Sequence, residues 1–317
     1  MNQPIISPID TDLIKAELSA DKFLRRTNRG RNEIYIVDAF SAPNTMREIG
    51  RLREEAFRAS GGGTGKDCDI DEFDTMTPPC RQLIVWDPEN DMILGGYRFI
   101  LGKDIKIENG IPRIATSHMF NFSDKFIKDY LPYTIELGRS FVRVGFQSSR
   151  EGAKAIFALD NLWDGLGALT VDNPEIKYLF GKVTMYPEYN TDCRDMILYF
   201  ISKYFPDNEK LVTPITPLQT QTDFKKMEEV FNGTTYAEDY KTLNSRIREY
   251  GFTIPPLVNA YMSLSPTMKM FGTAINDLFG DVEESGILIK ISDIFEEKKQ
   301  RHIGSYHPGD EFQTIAQ

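Results

Sequence analysis

The sequence predicts a mixed α/β fold, a central sheet flanked by helices, and three stretches carry that prediction. TIELGRSFV (134–142), a polar loop, a helical stretch over 153–169 and YLFGKVTM (178–185) form a series of strand, loop, helix and strand. That order is an α/β crossover and implies a parallel strand pair. RQLIVWD (81–87), the turn residues PEND and MILGGYRFILG (92–102) read as a β-hairpin, with proline and asparagine supplying the turn. The last third, from residue 206 onward, is mostly helical.

Taken in order, the first residues form an extended or helical arm, and RRTNRGR (25–31) is a basic turn suited to solvent or to a docking partner. EIYIVDAF (33–40) alternates as a strand does, whereas 44–59 gathers Met46, Ile49, Leu52 and Phe57 on one side, as an amphipathic helix does. A further helix over 192–205 stops before Pro206. Residues 223–231 and 237–250 have helical spacing, IPPLVNAYMSL (254–264) is a proline-initiated helix, and GILIKIS (286–292) is one late strand. That strand is read as completing the first sheet. The expected organisation is an N-terminal arm (1–32), a core (33–205) and a C-terminal helical extension (206–317), within one extended domain.

The composition is that of a chain able to bury a large core, with 41% hydrophobic and 26% charged residues in 317. A net charge of -10 argues against general nucleic-acid binding and against simple adhesion to an anionic membrane. Cys68, Cys80 and Cys193 have neither the number nor the spacing of a disulfide framework or a zinc site, so a reducing cytoplasm and no metal are expected. MNQPIISPIDTDLIK lacks a basic segment followed by an apolar one, and no apolar run reaches the roughly 18 residues of a membrane span.

GGGTGKDCDIDEFD (61–74) suggests a phosphate loop at first sight, but Ser60 stands where the leading glycine belongs and Asp67 where the metal-holding hydroxyl belongs. A carboxylate there would face a polyphosphate. Its glycines read as giving mobility to a lid, and its aspartates as a solvated turn or as orienters of nearby arginines. In ELGRS, Glu136 on residue type alone reads as a strand-end glutamate in a salt bridge. Glu136 and Arg139 are three apart, so a regular strand sends them to opposite faces, and a bulge at Gly138 is needed to bring both to one cleft. Trp163, Leu159, Leu162 and Leu166 have the spacing of a helical core face.

The motifs LREEAF (52–57), DIDEFD (69–74), IVWDPENDMILGGYRF (84–99), TSHMFNFS (116–123), ELGRSFV (136–142), LWDGL (162–166), LFGKVT (179–184) and IPPLVNAYMSL follow one another in the order found in a known family. The chain resembles the acyl-carrier-protein-dependent N-acyltransferases of the GNAT superfamily, specifically the ornithine and glycine N-acyltransferases that make lyso-amino-acid lipids. The acyl-homoserine-lactone synthases look like more distant relatives. RVGFQSSREGAK departs from the usual GNAT pyrophosphate loop, which weakens coenzyme A as donor and suits the single phosphate of a carrier protein's phosphopantetheine arm.

The resemblance implies a cytoplasmic GNAT-fold enzyme transferring a long, 3-hydroxylated acyl chain from acyl carrier protein to the amine of glycine or ornithine. It implies no permanently bound cofactor, Glu136 as base, Arg139 and Arg98 as positioners of donor or carboxylate, and Asp71 and Asp74 as organisers of the acceptor side. The phosphopantetheine cradle falls on Val142, Arg143, Val144, Arg150, Gly152 and Lys154, of which Arg143, Arg150 and Lys154 form a basic run suited to docking an acidic carrier. His118, Phe120 and Ser140 are the implied pocket residues; Ser140 lacks the elbow of a nucleophile. The implied partners are acyl carrier protein and a small amino acid, with room for peripheral membrane contact by an enzyme whose product is amphiphilic. The alternatives are an autoinducer-type synthase and a non-catalytic carrier-binding relative.

Overall fold

The computed structural model describes residues 2–146 and 153–309. The chain divides into two compact units, one made of Met1–Ile105, Pro132–Lys177 and Glu296–Gln317, the other of Lys106–Leu131 and Tyr178–Phe295. It begins in the first unit with α1 (Thr11–Glu17), β1 (Phe23–Arg26), β2 (Glu33–Val37), α2 (Pro43–Ala59), α3 (Glu72–Thr75), β3 (Arg81–Asp87) and β4 (Met92–Leu101). It enters the second as β5 (Ile107–Glu108), β6 (Ile111–Pro112) and β7 (Phe120–Phe122), and returns as β8 (Thr134–Val142) and α4 (Ala153–Asp172). The second unit resumes with β9 (Tyr178–Met185), α5 (Thr191–Tyr204), β10 (Val212–Pro214), α6 (Phe224–Val230), α7 (Tyr236–Glu249), α8 (Pro256–Met262), β11 (Lys269–Asn276) and β12 (Val282–Lys290). The helix α9 (Glu296–His302) closes the first.

Within the first unit the strands run in the order β1-β2-β3-β4-β8, every neighbouring pair antiparallel. β3 and β4 are buried along almost their whole length, because helices cover both faces. On one face Leu83 reaches Gly165 of α4; on the other Gln82 accepts a hydrogen bond from Arg53 of α2. Burial on both sides explains the apolar runs LIVW and FIL, which do not alternate. It also isolates Arg98, a charge within an otherwise apolar strand.

The helix α2 shows how local chemistry sets this frame. Pro43 occupies its first turn, where a missing N–H costs nothing, but the N-cap residue is Ala42, which has no capping side chain. Glu17, at the end of α1, supplies the cap instead: its carboxylate accepts from the amides of Asn44 at 3.0 Å and Thr45 at 2.7 Å. Burial opposes ionisation of Glu17, yet these donors hold its pKa below the usual carboxylate value. The N-terminal arm is thereby a helix that caps its neighbour.

In the second unit β9, β12 and β11 form an antiparallel sheet, and β7 pairs with β10. Phe122, Phe126, Phe180 and Phe271 make a ring cluster beside it. The single late strand expected from GILIKIS is therefore a hairpin, its missing partner being KMFGTAIN. A bulge between Met270 and Thr273, with Gly272 at φ 89°, breaks the alternation that would have marked β11. Met268, just before β11, and Met270, within it, are buried in the core.

The seating of α9 on α4 depends on Gly167, where an added Cβ would lie 2.0 Å from the His302 carbonyl oxygen. Gly167→Ala is expected to reduce the unfolding free energy by about 1–3 kcal/mol, read by urea denaturation. Wild-type stability in that variant would mean that α9 does not pack there.

Candidate active site

The segment DIDEFD folds as the start of α3. Asp71 is its N-cap, accepting from the amides of Phe73 at 2.9 Å and Asp74 at 3.3 Å, while the Asp74 carboxylate accepts from the Asp71 amide at 3.1 Å. This is a capping box built from two aspartates. Both carboxylates also face arginines. Arg98 of β4 lies 2.6 Å from Asp71 and 3.4 Å from Asp74, and its guanidinium sits over the Phe73 ring at 5.6 Å. Arg53 of α2 lies 3.4 Å from Asp74 and donates to Gln82, whose amide donates to Asp74 at 2.9 Å. Arg139 of β8 lies 2.9 Å from Asp69 and 3.4 Å from Asp71.

Three guanidinium groups thus meet three carboxylates in the protein interior, joining α2, α3, β3, β4 and β8. Arg53 and Asp74 have side chains that are 0% exposed, and that of Arg98 is 2% exposed. Burial opposes ionisation of Asp71, but the charges of Arg98, Arg139 and Arg53 hold its carboxyl well below the usual range. Burial likewise opposes the charge on Arg98, and Asp74 and Asp71 more than offset it, raising its pKa above the ordinary value.

Glu136 joins this site through register. It pairs with Ile100 across β4 and β8, Arg98 pairs with Gly138, and Gln82 pairs with Arg98. Cross-strand partners share a face and alternate residues return to it, so Glu136, Arg98 and Gln82 lie on the α2 side of the sheet. Glu136 is 2% exposed. Burial pushes the Cys80 thiol up to about 12, and Arg98, Glu136, Asp74 and Asp71 all act on it electrostatically. Cys80 therefore stays a neutral thiol and is no nucleophile.

The β8 bulge expected near Gly138 is present, but the special conformation falls one residue later. The register slips between Gly96 and Arg98, with Arg139 and Ser140 together opposing Tyr97, and Arg139 adopts φ 48°. An added Cβ at Gly138 would meet nothing within 4 Å. The left-handed conformation carried by an arginine is the strained element of the site, and it aims the guanidinium at Asp69 and Asp71. Ser140 is half-buried within the bulge.

The glycine-rich loop is neither a phosphate loop nor a loose lid. Glu54 of α2, buried, accepts from the amides of Thr64 at 3.1 Å and Gly65 at 2.8 Å, from the Thr64 hydroxyl at 2.7 Å, and from Arg58 at 2.7 Å. The protein's own carboxylate occupies the cradle.

Of the residues assigned to a phosphopantetheine cradle, Val142 pairs with Gly95 at the end of β8. Arg143 opens a turn closed by the Phe146 amide on its carbonyl at 2.9 Å, with Gly145 at φ 90° and Val144 exposed between them. Arg150 and Gly152 lie outside the described residues, as does the side chain of Lys154 at the start of α4. His118 and Phe120 belong to the second unit, where His118 lies 3.3 Å from the Asn276 side chain and Phe120 is buried. Asp69, Arg53 and Gln82 escaped sequence reasoning. Arg53 had a signal, a charge in the stripe of Met46, Gly50 and Phe57 on α2 and within LREEAF, and Asp69 had one as the first residue of DIDEFD, but neither was given a role; Gln82 had no signal.

An antiparallel sheet with a buried carboxylate beside a bulge, covered by helices, is the arrangement expected of a GNAT-type fold. Residues 52–154 match the acetyltransferase (GNAT) domain family. A glycine N(alpha)-acyltransferase of Phocaeicola vulgatus is 60% identical over 310 residues, covering 96% of this chain and 95% of its own. Another, of Bacteroides thetaiotaomicron, is 61% identical over 310 residues, covering 96% and 92%. Among solved structures, the AHL synthase LasI aligns with 48% of this chain and 71% of its own, at 14% identity and a TM-score of 0.29. The chain belongs to the family of these two acyltransferases: it is a GNAT-type N-acyltransferase. Among the described residues no helix is long and apolar enough to cross a membrane.

Two outcomes follow from the ion network. Asp74→Ala leaves Arg53 buried without its carboxylate partner and Arg98 with Asp71 alone, and is expected to cost about 3–5 kcal/mol of stability by denaturant titration; a cost near zero would mean the network is not closed. Because the folded pKa of Asp71 is depressed, its contribution is complete above the unfolded value of about 3.9 and disappears as pH falls below it. The stability gap between wild type and Asp71→Asn should therefore narrow on acidification below about pH 4. A gap that stays constant into acid would remove Asp71 from the ion pairs.

Proposed function

We propose that this N-acyltransferase moves a long, 3-hydroxylated acyl chain from the phosphopantetheine arm of acyl carrier protein to the α-amine of glycine, giving an N-acylglycine. The glycine acceptor is supported by the two relatives, each named a glycine N(alpha)-acyltransferase. The donor is supported by RVGFQSSREGAK, which departs from the usual GNAT pyrophosphate loop and so weakens coenzyme A as donor. Chain length and the 3-hydroxyl follow the resemblance to the lyso-amino-acid lipid enzymes, which also makes ornithine the competing acceptor.

The observation that carries the mechanism is the buried Glu136 carboxylate on the face of the arginine–aspartate network, beside the bulge at Arg139 and Ser140. Glycine amine is mostly ammonium near neutral pH, so a base must remove a proton before attack. Glu136, directly or through a water, takes that proton. The first proton passes on to solvent, the neutral amine nitrogen attacks the thioester carbonyl and the C–N bond forms; the nitrogen's second proton then passes through Glu136 to the departing sulfur as the C–S bond breaks, leaving a neutral amide and a thiol. A backbone amide freed from the ladder by the bulge stabilises the oxyanion between these steps. Arg98 and Arg139 have aspartate counter-ions, so they act as positioning residues that fix α3 and the bulge around Glu136.

Glu136→Gln keeps shape and removes the base. With purified enzyme, acyl carrier protein donor and glycine, kcat should fall by about 10²–10⁴ with the circular dichroism spectrum unchanged. Turnover like wild type at saturating substrate would remove Glu136 from the base role, and a higher kcat/KM for ornithine than for glycine would reassign the acceptor.

A further inference from the structure

We infer that the turn between β1 and β2, bearing Arg29 and Arg31, is the docking surface for the acidic face of the acyl carrier protein; the inference rests on the carrier-protein donor of the proposed function. Arg29 and Arg31 are exposed, and among the described residues neither makes an ion pair. In a chain of net charge -10, such a cationic turn is where a second acidic protein can approach without repulsion.

The turn is also built to hold its shape. Thr27 and Asn32 close it through the Thr27 amide on the Asn32 carbonyl at 2.9 Å and the Asn32 amide on the Thr27 hydroxyl at 3.1 Å. The Thr27 hydroxyl donates to the Arg29 carbonyl at 2.7 Å. Asn28 fastens it to α4 and α9: its amide and side chain donate to buried Asp164 at 2.9 and 2.8 Å, and its side chain also donates to the Arg301 carbonyl at 2.8 Å. Arg31 sits at φ 55°, a conformation glycine would adopt more easily. A polar clamp of this kind around two solvent-facing cations lowers the ordering cost of binding.

Position supplies the second argument. The Arg29 guanidinium lies over the Phe157 ring at 5.6 Å, about one turn into α4, whose N-terminus follows the proposed phosphopantetheine loop. A carrier protein seated on Arg29 and Arg31 therefore lies beside the first turns of α4, the helix that follows that loop in the sequence. A membrane surface would need no such neighbour.

The test is steady-state kinetics of the Arg29→Glu/Arg31→Glu enzyme with acyl carrier protein as donor at low and high salt, and with acyl-pantetheine as a small donor. The KM for the carrier should rise about tenfold or more and lose most of its salt dependence, while kcat, the KM for glycine and the acyl-pantetheine rate hold. An Arg29→Lys/Arg31→Lys enzyme should keep the wild-type carrier KM, separating charge from folding. A wild type that uses the carrier and a reversed variant with unchanged carrier KM would overturn the docking surface alone. A wild type that uses acyl-pantetheine but never the carrier would overturn the donor assignment and the surface with it. Loss of sedimentation with phosphatidylglycerol vesicles at unchanged carrier KM would assign the turn to lipid and likewise overturn it.

Discussion

The placement of Arg98 in the middle of a strand buried on both faces is the constraint from which the rest of the site follows. A guanidinium there is unaffordable without counter-charge, and the chain meets the need by folding DIDEFD over it. The aspartates that neutralise Arg98 are also the caps of α3, so one short segment satisfies helix amides and a buried cation together. Arg53 and Gln82 complete the far side of Asp74, and Arg139 completes Asp71 while reaching Asp69. Loss of any member would expose the others to the full cost of desolvation.

That closed arrangement matters for chemistry because it fixes the surroundings of Glu136 before substrate arrives. An acyl transfer between neutral partners gains most from groups that need no reorganisation. The bulge in β8 has the same logic: a regular strand would keep every amide in the ladder and point Arg139 away from Asp71. The strain of a left-handed arginine is compensated by its two ion pairs. The glycine-rich loop stands apart from the chemistry, its amides turned inward to Glu54.

Much of this was legible in the sequence, and the exceptions have physical reasons. The strands 81–87, 134–142 and 178–185 and the helix read over 44–59, found as Pro43–Ala59, were readable from period and from turn residues. β11 was hidden by a bulge with glycine at its centre, which looks like a loop to any reading based on alternation. The aspartates, Arg98, Glu136 and Arg139 stood out as charges in ordered motifs. Asp69 opened one of those motifs without being given a role of its own, and Gln82 did not stand out, since a glutamine opening a strand is indistinguishable from a solvated residue until the tertiary fold brings it inside. Gly138 was named for the bulge because glycine is the residue that tolerates it, yet the fold pays that cost at Arg139. The N-cap of α2 was invisible for a similar reason, because it comes from Glu17, distant in sequence.

Mass spectrometry of lipids from cells producing the protein, against cells producing Glu136→Gln, tests the central claim most directly, namely that a buried base on the sheet face of the arginine–aspartate network drives N-acylation of glycine. The account predicts a new 3-hydroxyacylglycine that is present with the wild type and absent with the variant. The same N-acylglycine at equal abundance in both would contradict it.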